Sequence, residues 1–174
     1  VHDDGNNQDT LQARVNGYLQ LNQNKYPAQA IHRIDYETSG LVLFCKHPFF
    51  QAYCDKNMEE HHIKKEYIAL VQGHTNYKNK KIISNIARDR HNAKKMIIHP
   101  NGKESISIFN TLKNYKDYSL IQVTILTGRK HQIRVQCASL KHPILNDSLY
   151  GGKKIDNTGL LLQSHHIQFN DVDI

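Results

Sequence analysis

Ser119-Leu120-Ile121-Gln122-Val123-Thr124-Ile125 is the stretch that decides the class of fold. Ile121, Val123 and Ile125 fall on one face of an extended chain, with Gln122 and Thr124 on the other. Such alternation predicts a strand with one apolar face, as in an antiparallel sheet. Ser105-Ile106-Ser107-Ile108 alternates in the same way upstream. Asn114-Tyr115-Lys116-Asp117, between the two runs, carries turn residues, so the runs should form a hairpin.

Working outward, residues 95–99 form a short strand candidate, ended by the turn Pro100-Asn101-Gly102. Residues 81–87 form another. Residues 64–73 read as a strand that stops at Gly73, and residues 160–169 as the last one. The apolar run Leu41-Val42-Leu43-Phe44 predicts a buried strand over 40–45 in the middle of the sheet, fed directly by a polar loop. Three helices are expected. The first starts at Asp9 or Thr10 and carries Leu11, Val15, Tyr18 and Leu19 at helical spacing. The second runs from His47-Pro48 to about residue 62. The third starts near Lys130, with Ile133, Cys137 and Leu140 on one stripe, and ends before Pro143. About seven strands, mostly in succession and with no βαβ alternation, define an α+β class. The expected architecture is a mixed, mainly antiparallel sheet flanked by helices and loops.

A chain of 174 residues suits one domain. No apolar stretch approaches the roughly 20 residues of a membrane-spanning helix. The three cysteines are scattered and form no C-x-x-C pair, so reduced thiols in a cytoplasmic setting are expected. Among the twelve histidines, His61-His62 and His165-His166 are adjacent and point apart, so no metal site is expected. The net charge is +7 and unevenly spread: residues 127–154 carry six lysines and arginines against Asp147 alone. Such a block favours a polyanionic partner.

Four segments carry side chains suited to chemistry on a nucleotide. His32-Arg33-Ile34-Asp35-Tyr36-Glu37-Thr38-Ser39-Gly40 holds a carboxylate in a loop, where an aspartate in isolation most simply caps a turn. Lys65-x-Tyr67 puts a phenol near the start of a strand. Thr127-Gly128-Arg129-Lys130-His131-Gln132-Ile133-Arg134 joins a glycine turn to a basic helix start, a setting that attracts phosphate. In that segment Arg134, one turn into the helix, is also placed to reach a carboxylate. His142-Pro143-Ile144-Leu145-Asn146-Asp147-Ser148-Leu149-Tyr150-Gly151 is a turn-rich loop.

In order and over most of the chain, these segments resemble the RluA-type family of RNA pseudouridine synthases. Residues 32–40 are similar to its H-R-L-D-x-x-T-S-G motif. Lys65-x-Tyr67-x-Ala69-x-Val71-x-Gly73 is similar to its K-x-Y-x-A-x-V-x-G strand. Residues 128–135 resemble G-R-T-H-Q-I-R-V, and residues 142–151 resemble H-P-I-x-x-D-x-x-Y-G. Two departures stand out: Gln136 where the family usually has histidine, and Asn146 where glycine is common. Both are candidates for substrate contacts, and neither removes a catalytic group.

The resemblance implies a pseudouridine synthase catalytic fold with a basic active-site cleft. The implied reaction breaks the N1–C1′ bond of uridine, turns the base and rejoins it through C5, in ribosomal or transfer RNA. It needs no cofactor. The implied catalytic residues are Asp35, Tyr67 and Arg134, with Arg134 pairing with Asp35. The residues expected to hold RNA are Arg33, Thr38, Arg129, Lys130, His131 and Gln132. Val1-His2 resembles the end of the family's first strand. Residues 1–174 are therefore expected to be a single catalytic domain, lacking that first strand and any appended N-terminal RNA-binding domain. A monomer is the default expectation. The rival reading is a non-catalytic RNA-binding module on the same fold.

Overall fold

A computed structural model describes residues 9–169 and the backbone of 172–173. The segment Val1-His2 lies outside the described residues. Helix α1 (Leu11–Leu21) begins where Thr10 Oγ1 accepts from Ala13 N at 3.1 Å. Helix α2 (Pro48–Glu59) has Pro48 in its first turn and His47 as its cap.

The main sheet is built on β4 (Ile63–Gln72), whose mostly apolar C-terminal half, Ile68-Ala69-Leu70-Val71-Gln72, is suited to burial in the sheet interior. It pairs antiparallel with β8 (Tyr118–Ile125) on one side and β9 (Leu162–Phe169) on the other. Beyond β8 lie β7 (Lys103–Asn114), β5 (Lys80–Arg88) and β6 (Met96–Ile98). Beyond β9 lies β10 (Val172–Asp173). The expected β7–β8 hairpin is present, closed by Tyr115 N donating to Tyr118 O at 2.8 Å. β7 is longer than its four alternating residues. A register shift at Thr111/Lys113 lets pairing continue past it and leaves Leu112 exposed. The mixed, mainly antiparallel architecture is thus as expected.

The strand expected over 40–45 is not one strand. Ser39–Gly40 (β2) pairs parallel with β9, the chain then leaves the sheet, and Phe44–Cys45 (β3) pairs antiparallel with Gln29–Ala30 (β1) in a separate two-stranded ladder. Gly40 explains the break. It adopts φ +104, and a Cβ there would overlap the carbonyl oxygen of Ser164. The backbone groups that follow are used locally: Leu41 N donates to Ser164 O, and Leu43 N to His32 Nε2, each at 3.0 Å. The apolar run is half-buried and clasps the polar loop; it does not cross the core.

Phe109, Ile121, Val123, Val71 and Ile144 are fully buried and form the core with Tyr67, Ile133 and Cys137. Helix α3 (Gln132–Ser139) departs from the one-stripe expectation. Its residues from Gln132 to Cys137 are all buried, because the sheet, β6 and the 3-10 turn Ser148–Tyr150 enclose it on several sides. Polar residues in this helix are therefore buried whether or not they serve a site.

Candidate active site

The β4–β9 pairing shifts register between Glu66 and Tyr67. Strict alternation is lost there, and Lys65, Glu66 and Tyr67 are buried in succession. Next to this irregularity lies a cleft of about 800 Å³. Asp35 enters it from the loop before β2, Tyr67 from β4 and Arg134 from α3. Arg33, Thr38, Arg129, Lys130 and Gln132 also line it. Five cationic side chains face Asp35 and Glu59 across this cleft, which makes it basic and suited to an anionic ligand.

Asp35 sits at the start of a turn closed by Thr38 N donating to Asp35 O at 3.0 Å. Its carboxylate forms no ion pair among the described residues. The direct Asp35–Arg134 pairing expected from the sequence is replaced by another arrangement. Arg134 Nε and Nη2 donate to the two carboxylate oxygens of Asp147, and Nη2 also reaches Glu37 Oε2 at 3.0 Å. The cause is placement: Asp147, in the turn after α3, meets two nitrogens of the guanidinium fork and is itself fully buried. Burial alone would lower the Arg134 pKa. The hydrogen bonds donated to Asp147, with the charges of Asp147, Glu37 and Asp35, outweigh it and hold Arg134 above the ordinary arginine value. Asp35 thus acts on Arg134 through space, with no bond between them. The Tyr150 ring lies beneath the guanidinium, 5.2 Å away.

Burial pushes the Tyr67 phenol up to about 12, and the Asp35 charge acts in the same direction. Tyr67 is therefore a neutral phenol at physiological pH, able to stack and to donate a hydrogen bond. His32 does not reach out as an acid or base. Burial, with the Lys65 charge, lowers it to about 4, and its Nε2 is occupied by Leu43 N.

The residues expected to hold RNA divide into two groups. Arg33, Arg129 and Lys130 are exposed at the cleft, with Arg129 Nε anchored on Glu104 O at 2.9 Å. Thr38 is buried there. Gln132 reaches the cleft wall, but its amide is used internally. Oε1 accepts from Thr127 Oγ1 and Arg129 N, and Nε2 donates to Ile106 O and Ser107 Oγ. His131 is buried in a left-handed conformation, φ 54, with Nδ1 2.8 Å from Tyr150 OH. Gln132 thereby braces the Gly128 turn, and His131 ties the start of α3 to Tyr150.

Neither family departure lies at the cleft. Gln136 is buried against Ser84 and Ser105. Asn146 adopts φ 64, which suits either glycine or asparagine, and its amide ties down Asp156, Gly159 and Ile155 N. The residues missed by sequence reasoning are Asp147 and Glu37 as partners of Arg134. Both stood inside quoted motifs, but only a three-dimensional contact reveals what they hold.

Residues 1–139 match the family model described as RNA pseudouridylate synthase. The chain is 37% identical over 145 residues to an uncharacterized RNA pseudouridine synthase of Bacillus subtilis, covering 82% of this chain and 48% of that protein. It is 40% identical over 128 residues to ribosomal large subunit pseudouridine synthase C of Buchnera aphidicola, covering 72% of this chain and 41% of that protein. The chain thus spans about half the length of the curated relatives it matches. The solved structure of human RNA pseudouridylate synthase domain containing 1 has the same fold, with TM-score 0.83 at 24% identity, covering 99% of this chain and 76% of that one.

Proposed function

The chain belongs to the RNA pseudouridylate synthase family, and on that premise we propose that it isomerises uridine to pseudouridine in RNA, with Asp35 as the catalytic carboxylate. Ribosomal RNA is the first substrate to test, since a relative is named for the large ribosomal subunit; transfer RNA is the second. The enzyme works in the cytoplasm, as a monomer, without metal or cofactor. The observation that carries this reading is the convergence of Asp35, Tyr67 and Arg134, from three distant segments, on one basic cleft.

The target base must first leave its stack, at a cost of a few kcal/mol. Phosphate contacts from Arg33, Arg129 and Lys130 offset that cost. Asp35 then either adds to C1′ or removes a ribose proton, and the N1–C1′ bond breaks. Once C5 is joined to C1′, its proton leaves and N1 gains one, so the product has the composition of the substrate. Tyr67, as a neutral phenol, stacks on the base and relays the C5 proton. Arg134, held by Asp147, keeps positive charge beside Asp35 and favours its anionic form.

Because the C5 hydrogen is lost, RNA carrying tritium at uracil C5 reports the reaction directly. RNA from cells lacking the gene should release tritium with the wild-type protein and none with Asp35→Asn, whose RNA affinity should stay within a few-fold. Equal release from both proteins would refute the role of Asp35. RNA binding with no release by the wild type would leave the non-catalytic binding module.

A further inference from the structure

Lys65 lines the cleft but has no part in the steps above. It is 8% exposed, and its ammonium donates to the Met58 thioether at 3.1 Å. A thioether is a weak acceptor and brings no counter-charge. Among the described residues Lys65 makes no ion pair. Its neighbour Glu66 is committed elsewhere, to Lys64, His166 and Thr124. His32, nearby, brings no negative charge in either protonation state. Burial lowers the Lys65 pKa, as expected for an ammonium removed from water without a partner. A second polar group on the cleft wall is also unsatisfied: Thr38 is 7% exposed, and its Oγ1 has no hydrogen-bond partner.

A buried cation without a counter-charge and a buried hydroxyl without a partner, both lining one cleft, are complementary to a ligand that brings negative charge and acceptor oxygens. A base carbonyl supplies an acceptor but leaves the charge uncompensated. A phosphodiester supplies both. Resting on the reading of the cleft as an RNA site, we propose that Lys65 and Thr38 form an interior seat for the phosphate of the nucleotide that enters it. Arg129 and Lys130, exposed at the cleft, attract the RNA backbone in general. The interior seat fixes the position of the one nucleotide that reacts, and its charge is screened far less by salt.

Uridine 5′-monophosphate and uridine serve as probes, with affinities read by NMR titration. The wild type should bind the nucleotide about tenfold more tightly than the nucleoside, the gain expected from one charge-assisted contact of about 1.4 kcal/mol. Inorganic phosphate should displace the nucleotide. In Lys65→Met, whose straight apolar chain suits the buried position, the preference should fall to about twofold or less. An unchanged preference in that variant would place the phosphate on the surface arginines and lysines and overturn the seat. Should Lys65→Met fail to fold, the wild type still decides: a neutral dimethyl phosphotriester of uridine should bind no better than uridine, and equal binding of the triester and the monophosphate overturns the proposal. The seat and the catalytic reading fail separately. Asp35→Asn should keep the preference for the monophosphate. Tritium release with no such preference refutes the seat alone, and the preference without release refutes the catalytic assignment alone.

Discussion

Arg134 and Asp147 form a fully buried, two-bonded ion pair, with Nε to Oδ2 and Nη2 to Oδ1 both at 2.8 Å. The pair links α3 to the turn that follows it, and it decides where the guanidinium stands in the cleft.

Removing one member of a buried pair leaves the other charge uncompensated and costs about 3–5 kcal/mol. Asp147→Ala should lose about that much stability in urea titration, and with it most catalytic activity. Replacing both members with apolar residues, as in Arg134→Met with Asp147→Leu, should cost less than Asp147→Ala alone. A single substitution that leaves the urea midpoint unchanged would show the pair to be energetically idle.

Glu37 binds the same guanidinium from the Asp35 turn, but its side chain is half exposed. Exposed pairs contribute about 0–1 kcal/mol. Glu37→Gln should therefore barely change stability. Because Glu37 ties the turn to α3, the substitution should lower kcat several-fold while KM stays near the wild-type value. A change confined to KM would assign Glu37 to RNA binding.

The phenols of Tyr67, Tyr77 and Tyr150 are each pushed up to about 12, in every case chiefly by burial. The fold thus favours the neutral form. Their contribution is fully present below the unfolded value near 10 and is lost as pH rises from 10 toward 12. At pH 11 the loss should be about 1 kcal/mol per tyrosine. Denaturation curves at pH 9 and pH 11 measure it, and Tyr77→Phe should remove part of the difference.

His32 behaves in the opposite sense on the acid side. Its pKa is lowered to about 4, by burial first and the Lys65 charge second. The unfolded chain takes up a proton near 6.5 and the folded chain resists it, so stability falls as pH drops from 6.5 toward 4. Protonation at Nε2 would also remove the acceptor of Leu43 N. Hydrogen exchange at the Leu43 amide should accelerate below about pH 5. His32→Gln should abolish that pH dependence.

Gly40→Ala combines φ +104 with a collision between the new Cβ and the Ser164 carbonyl. Rigid backbone cannot yield there as a flexible side chain would. The β2–β9 pairing should be lost and the Asp35 loop released, so activity should fall steeply even where circular dichroism still shows the sheet. Full activity in Gly40→Ala would show that this pairing does not position Asp35.

The sheet and helices were legible because their signals are local. Alternation over 119–125, turn residues at 114–117 and a cap at Thr10 each act within a few residues. The 40–45 segment misled for the same reason. Four apolar residues in a row read as a buried strand, and only the approach of Gly40 to Ser164 reveals why the chain leaves the sheet. Motif spacing brought Asp35, Tyr67 and Arg134 forward together, yet it could not say which carboxylate Arg134 would bind. That choice lies between residues far apart in sequence.

By itself, then, the sequence determined the α+β class, the order of the main elements, the family and the placing of Asp35, Tyr67 and Arg134 together. Each follows from local periodicity or from motifs in register. The tertiary structure decided the pairing of Arg134 with Asp147, the internal use of His131 and Gln132, and the isolation of Lys65. All three depend on burial, which sets what an unsatisfied charge or hydrogen bond costs and is known only once distant strands have closed around a side chain.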